Sequence, residues 1–167
     1  ISIETFLCRI LDRLEANRMK YNRFWENRQL SEMTPLQWES LCDRCGRCCL
    51  YAIDNEKDGV IFYTKIACKF LDTYTCTCTI YSKRKWMVPN CHIVTMENIR
   101  QLPSLPNSCA YRLLANGESL KWWHPLVSGD LRTVHEAGIS VRKRHAISEQ
   151  NVRLEQYIDN INEIKVL

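Results

Sequence analysis

Glycine and proline are scarce in this chain, with five of each among 167 residues. So few glycines leave little from which to build a phosphate-cradling loop, and neither G-x-x-x-x-G-K-[ST] nor G-x-G-x-x-G occurs. H-E-x-x-H and G-x-S-x-G are missing as well. A P-loop nucleotide hydrolase, a Rossmann-type methylase, a zincin protease and an α/β-hydrolase therefore have no template here. Whether the chain is an enzyme stays open, and no catalytic residue is assigned.

Long apolar runs are also lacking, since none approaches the roughly 18 residues that a membrane span requires. No charged-then-apolar leader precedes the first polar stretch. The expectation is a cytoplasmic protein without a membrane partner. Charge is nearly balanced, at 23 Lys and Arg against 19 Asp and Glu. The formal net charge of +4 treats every cysteine as neutral. Two Zn²⁺ ions on about eight thiolates lower it by roughly 4, and one four-thiolate [4Fe–4S]²⁺ cluster by roughly 2. Basicity alone therefore does not argue for a nucleic-acid partner.

What the chain does have is cysteine, ten in all, nine of them between Cys42 and Cys109. Four fall within eight residues, Cys42, Cys45, Cys48 and Cys49 in CDRCGRCC. This C-x-x-C-x-x-C-C spacing gathers soft donors suited to zinc or an iron–sulfur cluster. Gly46, directly after the second cysteine, permits a tight turn that aims amide N–H groups at the sulfurs. Cys48 and Cys49 are adjacent, so their side chains diverge and the quartet calls for cysteines from later in the chain. At this length the domain needs no disulfide staples, and the clustering reads as reduced thiolates holding metal.

In chain order, Ile3, Phe6, Leu7, Ile10, Leu11 and Leu14 recur at helical spacing over residues 2 to 17, with Cys8 alone among them. Thr34 followed by Pro35 predicts a helix start that runs through Trp38 and Leu41 and delivers Cys42. Leu50 to Ile53 and Val60 to Thr64 read as strands around a polar turn, Asp54 to Gly59. Thr75-Cys76-Thr77-Cys78-Thr79 alternates, which in extended backbone puts both sulfurs on one side. Pro89 fixes the approach to Cys91, and Cys109 leads into a helix, Ala110 to Ala115, stopped by Asn116-Gly117. Residues 139 to 147 alternate like a strand with a basic outer face. Ser148 is positioned to cap a helix with the stripe Val152, Leu154, Tyr157, Ile158, Ile161 and Ile164. The fold class expected is mainly α with short β strands, a small single domain organised around a Cys-rich metal centre.

The run Trp38-Glu39-Ser40-Leu41-Cys42-Asp43-Arg44-Cys45-Gly46-Arg47-Cys48-Cys49-Leu50, then Ala67-Cys68, Cys76-Thr77-Cys78, Tyr81, Pro89-Asn90-Cys91, Cys109-Ala110-Tyr111-Arg112, Trp123-His124-Pro125-Leu126 and Gly138-Ile139-Ser140-Val141-Arg142 resembles the YcgN-like bacterial proteins. These belong to the YkgJ-type CxxCxxCC family, described as chelating zinc or iron. The similarity spans roughly residues 24 to 155, with residues 1–20 as an N-terminal helical extension and 21–167 as the CxxCxxCC metal-chelating domain. The resemblance implies metal binding in a bacterial cytoplasm by Cys42, Cys45, Cys48, Cys49, Cys68, Cys76, Cys78, Cys91 and Cys109. Distant members include a flagellin lysine methylase. Arg84 is followed here by Lys85, where many YkgJ-type members carry proline, a departure found in the YcgN branch.

Four-coordinate sites use eight of those nine cysteines, and spacing leaves the ninth open. The cofactor expected is zinc or an iron–sulfur cluster; an iron–sulfur redox enzyme or electron carrier is the alternative function. His124, in Trp-His-Pro-Leu, reads as a structural hydrogen-bonding residue rather than a ligand, and His92 is a weaker candidate. Tyr81, Arg84, Tyr111 and Arg112 are candidates for orienting the thiolates, with helix and turn packing as the plain alternative. Lys83, Arg84 and Lys85 beside Trp86, with Arg142, Lys143, Arg144 and His145, form basic faces of the ordinary solvated kind.

Overall fold

The structure, a computed structural model, describes residues 23–26, 29–55, 60–143 and 146–153. The amphipathic segment 2–17 with Cys8, the extension 1–20 and the apolar stripe beyond residue 153 lie outside the described residues.

Helix α1, Pro35–Ser40, begins where local chemistry dictates. Thr34 Oγ1 accepts from Gln37 N–H at 3.2 Å while Gln37 Oε1 accepts from Thr34 N–H at 3.0 Å, and Pro35 occupies the first turn, where its missing donor costs nothing. Among the described residues four further helices follow, α2 (Arg84–Met87), α3 (Ala110–Ala115), α4 (Pro125–Ser128) and α5 (Thr133–Glu136). None of the five exceeds six residues. α3 ends as its sequence demands: Gly117, at φ +74°, lets Glu118 N–H reach Leu113 O at 2.8 Å.

Strands β1 (Leu50–Asn55) and β2 (Val60–Ala67) form the expected antiparallel hairpin, with a bulge between Leu50 and Ala52. β5 (Ile147–Ser148) adds to β2 in parallel, Ile66 opposite Ile147. β3 (Leu71–Asp72) and β4 (Thr77–Cys78) make a separate small hairpin, Leu71 opposite Cys78. The architecture is thus mixed α/β rather than mainly α.

Two other expectations are corrected. The described part of 139–147 is not one strand: Val141–Lys143 is a 3₁₀ turn, fully burying Val141, and Val141 N–H donates to Cys45 O at 2.8 Å. Only Ile147–Ser148 pairs in the sheet. Ser148 does act as a cap, accepting from Gln150 N–H, but of the single 3₁₀ turn Glu149–Asn151 within the described residues.

The core has two parts. One packs Phe24, Trp25, Met33, Trp38, Leu41, Ile99, Tyr111 and Leu120 between α1 and α3; Trp38 lies 4.8 Å from Tyr111, ring to ring, and donates Nε1–H to Val94 O. The other packs Leu50, Tyr63, Ala67, Leu71, Cys76 and Val141. The CDRCGRCC stretch runs from Leu41 in the first to Leu50 in the second, so both cores fix its ends. Among the described residues no helix is long and apolar enough to cross a membrane.

Candidate metal centre

The stretch after α1 has little regular structure of its own. Asp43, buried at 5% exposure, accepts Cys45 N–H on Oδ1 at 3.0 Å, and Gly46, at φ +74°, turns the backbone into the 3₁₀ turn Arg47–Cys49. That turn carries Cys48 and Cys49 on consecutive residues, tied back by Cys49 N–H to Gly46 O at 3.1 Å.

Cys48, Cys109 and Asp43 lie near enough to Cys42 and Cys45 to disfavour their ionisation. Burial, then Cys48, push the Cys42 thiol up to about 12. Burial also pushes Cys109 up to about 12, again with Cys48 as the nearest charge. Cys45 is raised by burial, Asp43, Cys48 and Cys109. Cys48 is raised first by its hydrogen bond with Cys49, then by burial. A ring of acidic groups that resist ionising together is a place where a cation is favoured. Backbone donors oppose the repulsion: Arg44 N–H faces the Cys42 sulfur, Arg47 N–H faces Cys45, and Tyr111 and Arg112 N–H at the start of α3 face Cys109. Cys42 and Cys48 are solvent-exposed residues whose thiols are flanked by protein.

A second group lies beyond Cys48. The Cys91 thiol is raised by burial, and also by Cys48, Cys78 and Cys68, while Arg84 opposes them. Cys68 N–H donates to Cys49 O at 2.9 Å, and Cys78 is delivered by β4. Among the described residues no three His, Cys, Asp or Glu side chains are already placed to share a metal ion. The donor chemistry, soft thiols at C-x-x-C-x-x-C-C spacing, is of the kind that zinc or iron–sulfur takes.

Cys76 stands apart, and the expectation that it and Cys78 point to one side is corrected. Asp72 Oδ1 accepts N–H from Tyr74 and Thr75, closing the turn between β3 and β4, and leaves Cys76 at φ +56°. Alternation is broken before it reaches Cys78. Cys76 is 4% exposed in the second core, and its charged and polar neighbours are Ser140, Arg142 and Asp72. Replacing Cys76 with Ala is expected to leave metal content unchanged and to cost about 1 kcal/mol of stability, readable as a small shift in denaturant midpoint.

His124 has both ring nitrogens engaged. Nδ1 accepts from Leu126 N–H at 3.1 Å, which puts the proton on Nε2, 3.0 Å from Leu41 O. Burial holds its pKa below the usual histidine range, so it is a neutral strut between α4 and the residue preceding Cys42. His124→Ala is expected to retain metal while losing about 1–3 kcal/mol, because Leu41 O and Leu126 N–H are left without their partner. Elemental analysis beside a denaturation curve checks this; loss of metal from a folded variant would make His124 a ligand.

Of the other residues considered, Tyr81 donates to Glu39, Arg84 stacks on Tyr81 at 3.5 Å and donates to Tyr81 O at 2.6 Å, and Arg112 donates to Leu102 O and Pro103 O. His92 is exposed. Arg142 stacks on Tyr74 at 3.9 Å, Trp86 is 90% exposed, and Arg144 and His145 lie outside the described residues. Asp43 and Arg47 are what the sequence reading missed. Both are charged and buried inside the motif, where Arg47 Nη1 donates to Ser108 Oγ at 3.2 Å, next to Cys109. Their position between closely spaced cysteines was the only signal. A cleft of about 1060 Å³, lined by Trp25, Ile99, Arg100, Leu114 and Leu120 among others, contains no cysteine and is not the site of this chemistry.

The described residues make a small mixed α/β protein whose CDRCGRCC stretch links its two cores. The chain is 49% identical over 138 residues to a UPF0260 protein of Rhodopseudomonas palustris strain HaA2, covering 83% of this chain and 81% of that one. It is 47% identical over 137 residues to one from Mesorhizobium japonicum, covering 81% and 93%, and 53% identical over 127 residues to one from Gluconacetobacter diazotrophicus, covering 76% and 79%. The chain belongs to the UPF0260 family, which is bacterial in these relatives. No family model and no solved structure matches it.

Proposed function

We propose that this chain is a metal-binding protein of the bacterial cytoplasm, of the YcgN-like, CxxCxxCC kind, in which eight cysteines hold zinc or iron–sulfur and Cys76 belongs to the core. The first group is Cys42, Cys45, Cys48 and Cys109; the second draws on Cys68, Cys78, Cys91 and the Cys48–Cys49 pair. The observation that carries this reading is the CDRCGRCC stretch itself, four soft donors within eight residues, with Gly46 turning the backbone at φ +74° between them. Binding requires the thiols to give up their protons and turn toward a common ion, and the ion supplies the charge that holds them together.

A second reading, an iron–sulfur electron carrier or redox enzyme, is favoured by the solvent-open Cys42 and Cys48, since an accessible cluster can exchange electrons with a partner. Anaerobic purification followed by elemental analysis and a visible spectrum separates the two. Stoichiometric zinc in a colourless protein supports the first, and iron with absorption near 400 nm that dithionite bleaches reversibly supports the second. Protein containing neither metal would defeat both.

A further inference from the structure

Helix α2 holds a tryptophan out in water. The 3₁₀ turn Tyr81–Lys83 runs directly into α2, and Val88 N–H closes the helix onto Arg84 O at 2.8 Å. Trp86 is 90% exposed, and Met87 and Tyr81 beside it are about half exposed. Lys83 and Lys85 are exposed as well, and neither has an ion-pair partner among the described residues. No Asp or Glu occurs in the sequence between Asp72 and Glu97. A carboxylate that reaches this face from α1, Glu39, accepts the Tyr81 hydroxyl, and Arg84 lies over the Tyr81 ring at 3.5 Å.

An aromatic ring stabilises a fold by removing apolar area from water, and Trp86 removes almost none. Lysines by themselves make only a solvated face. Combined with an uncovered ring they make a platform on which the ring takes a base by its flat side while the ammonium groups take the phosphates. Lys83 precedes Trp86 by three residues across contiguous turns, so the two share a face. We propose that this face binds single-stranded nucleic acid, with a base stacked on Trp86 and neighbouring phosphates held by Lys83 and Lys85. Other occupants fit less well. A helix that lies in a membrane surface presents an apolar stripe several turns long, and α2 is one turn of four residues. Protein interfaces surround their aromatic anchors with surface depleted of lysine, the residue that is abundant here. The proposal goes beyond metal binding and holds whichever metal the thiols carry.

The test is fluorescence anisotropy of a labelled oligothymidine of about 12 nucleotides, titrated with the full chain as purified, with Trp86→Ala and with the double variant Lys83→Gln/Lys85→Gln. All three side chains are exposed, so melting and metal content are expected to match those of the unsubstituted protein, which a melting curve and elemental analysis check. The unsubstituted chain is expected to bind with a Kd on the order of 10⁻⁵ M at low salt, weakening as salt rises. Trp86→Ala is expected to weaken binding about tenfold by removing the stack. The double variant is expected to lower the slope of log affinity against log salt by about 1.4, two phosphate contacts on a single strand. Pairing the strand with its complement hides the base faces, so duplex binding is expected to be the same in Trp86→Ala as in the unsubstituted chain. Absence of oligothymidine binding at low salt, or binding that neither set of substitutions diminishes, would overturn the proposal. Binding to phosphatidylglycerol vesicles that Trp86→Ala abolishes, without binding to oligothymidine, would also overturn it and assign the face to a lipid surface.

Discussion

Stripping metal from the purified protein with a strong chelator is expected to abolish most of its folded circular dichroism and its cooperative melting. A structural thiolate-bound zinc contributes on the order of 10 kcal/mol to folding, comparable with the roughly 5–15 kcal/mol that stabilises an entire domain. The central loop has little regular structure of its own. Residues 42–46 belong to no helix or strand, and their main-chain contacts include Cys45 N–H to Asp43 and Cys45 O to Val141. On either side sit two modest apolar clusters, one around Trp38 and Tyr111, the other around Leu50 and Val141. A chelated protein with an unchanged spectrum and melting curve would mean that the fold does not depend on metal.

Gly46→Ala has the second-largest expected effect, a loss of roughly 2–5 kcal/mol together with weakened metal retention. Its left-handed backbone, at φ +74°, costs a side-chain-bearing residue about 1–2 kcal/mol. The added Cβ meets Val141 Cγ2 at 2.9 Å and Cys76 Cβ at 3.4 Å. Val141 cannot easily give way, because it is fully buried and its N–H is bonded to Cys45 O, so overpacking adds about 1–3 kcal/mol. Gly117→Ala and Gly138→Ala are the comparison, with similar φ angles and nothing within 4 Å of the added carbon. The three are compared by denaturant midpoint at constant m-value. Equal losses at all three would show that the packing of Gly46 against Val141 contributes nothing.

Much of this was legible in local sequence. The start of α1 was readable because Thr34, Pro35 and Gln37 close their own capping box, and the stop of α3 because Gly117 supplies its left-handed residue. The β1–β2 hairpin was readable from two apolar runs flanking a polar turn. Where the reading failed, contacts distant in sequence or a competing turn prevailed. Residues 139 to 147 alternate like a strand, yet the bond from Val141 to Cys45 and the burial of Val141 draw them into a 3₁₀ turn. Cys76 and Cys78 alternate too, but the Asp72 carboxylate captures two amides just ahead of them.

The same division runs through the site. Spacing in CDRCGRCC announces thiolate chemistry, and the N–H groups facing Cys42 and Cys45 follow from it. Cys109, 60 residues beyond Cys49, joins the first group only because α3 packs on α1 and Arg47 bonds to Ser108. Separation of Cys76 from the rest depends on the second core, which no spacing rule encodes. Asp43 and Arg47 look like ordinary surface charges in the sequence and are buried only because the loop is pinned between two cores.

X-ray absorption at the metal edge of the anaerobically purified protein bears most directly on whether cysteine sulfur is what holds the ion. The prediction is a first coordination shell made only of sulfur, four per metal, at about 2.3 Å if the metal is zinc. A shell of nitrogen or oxygen, or a protein that carries no stoichiometric metal at all, would contradict it.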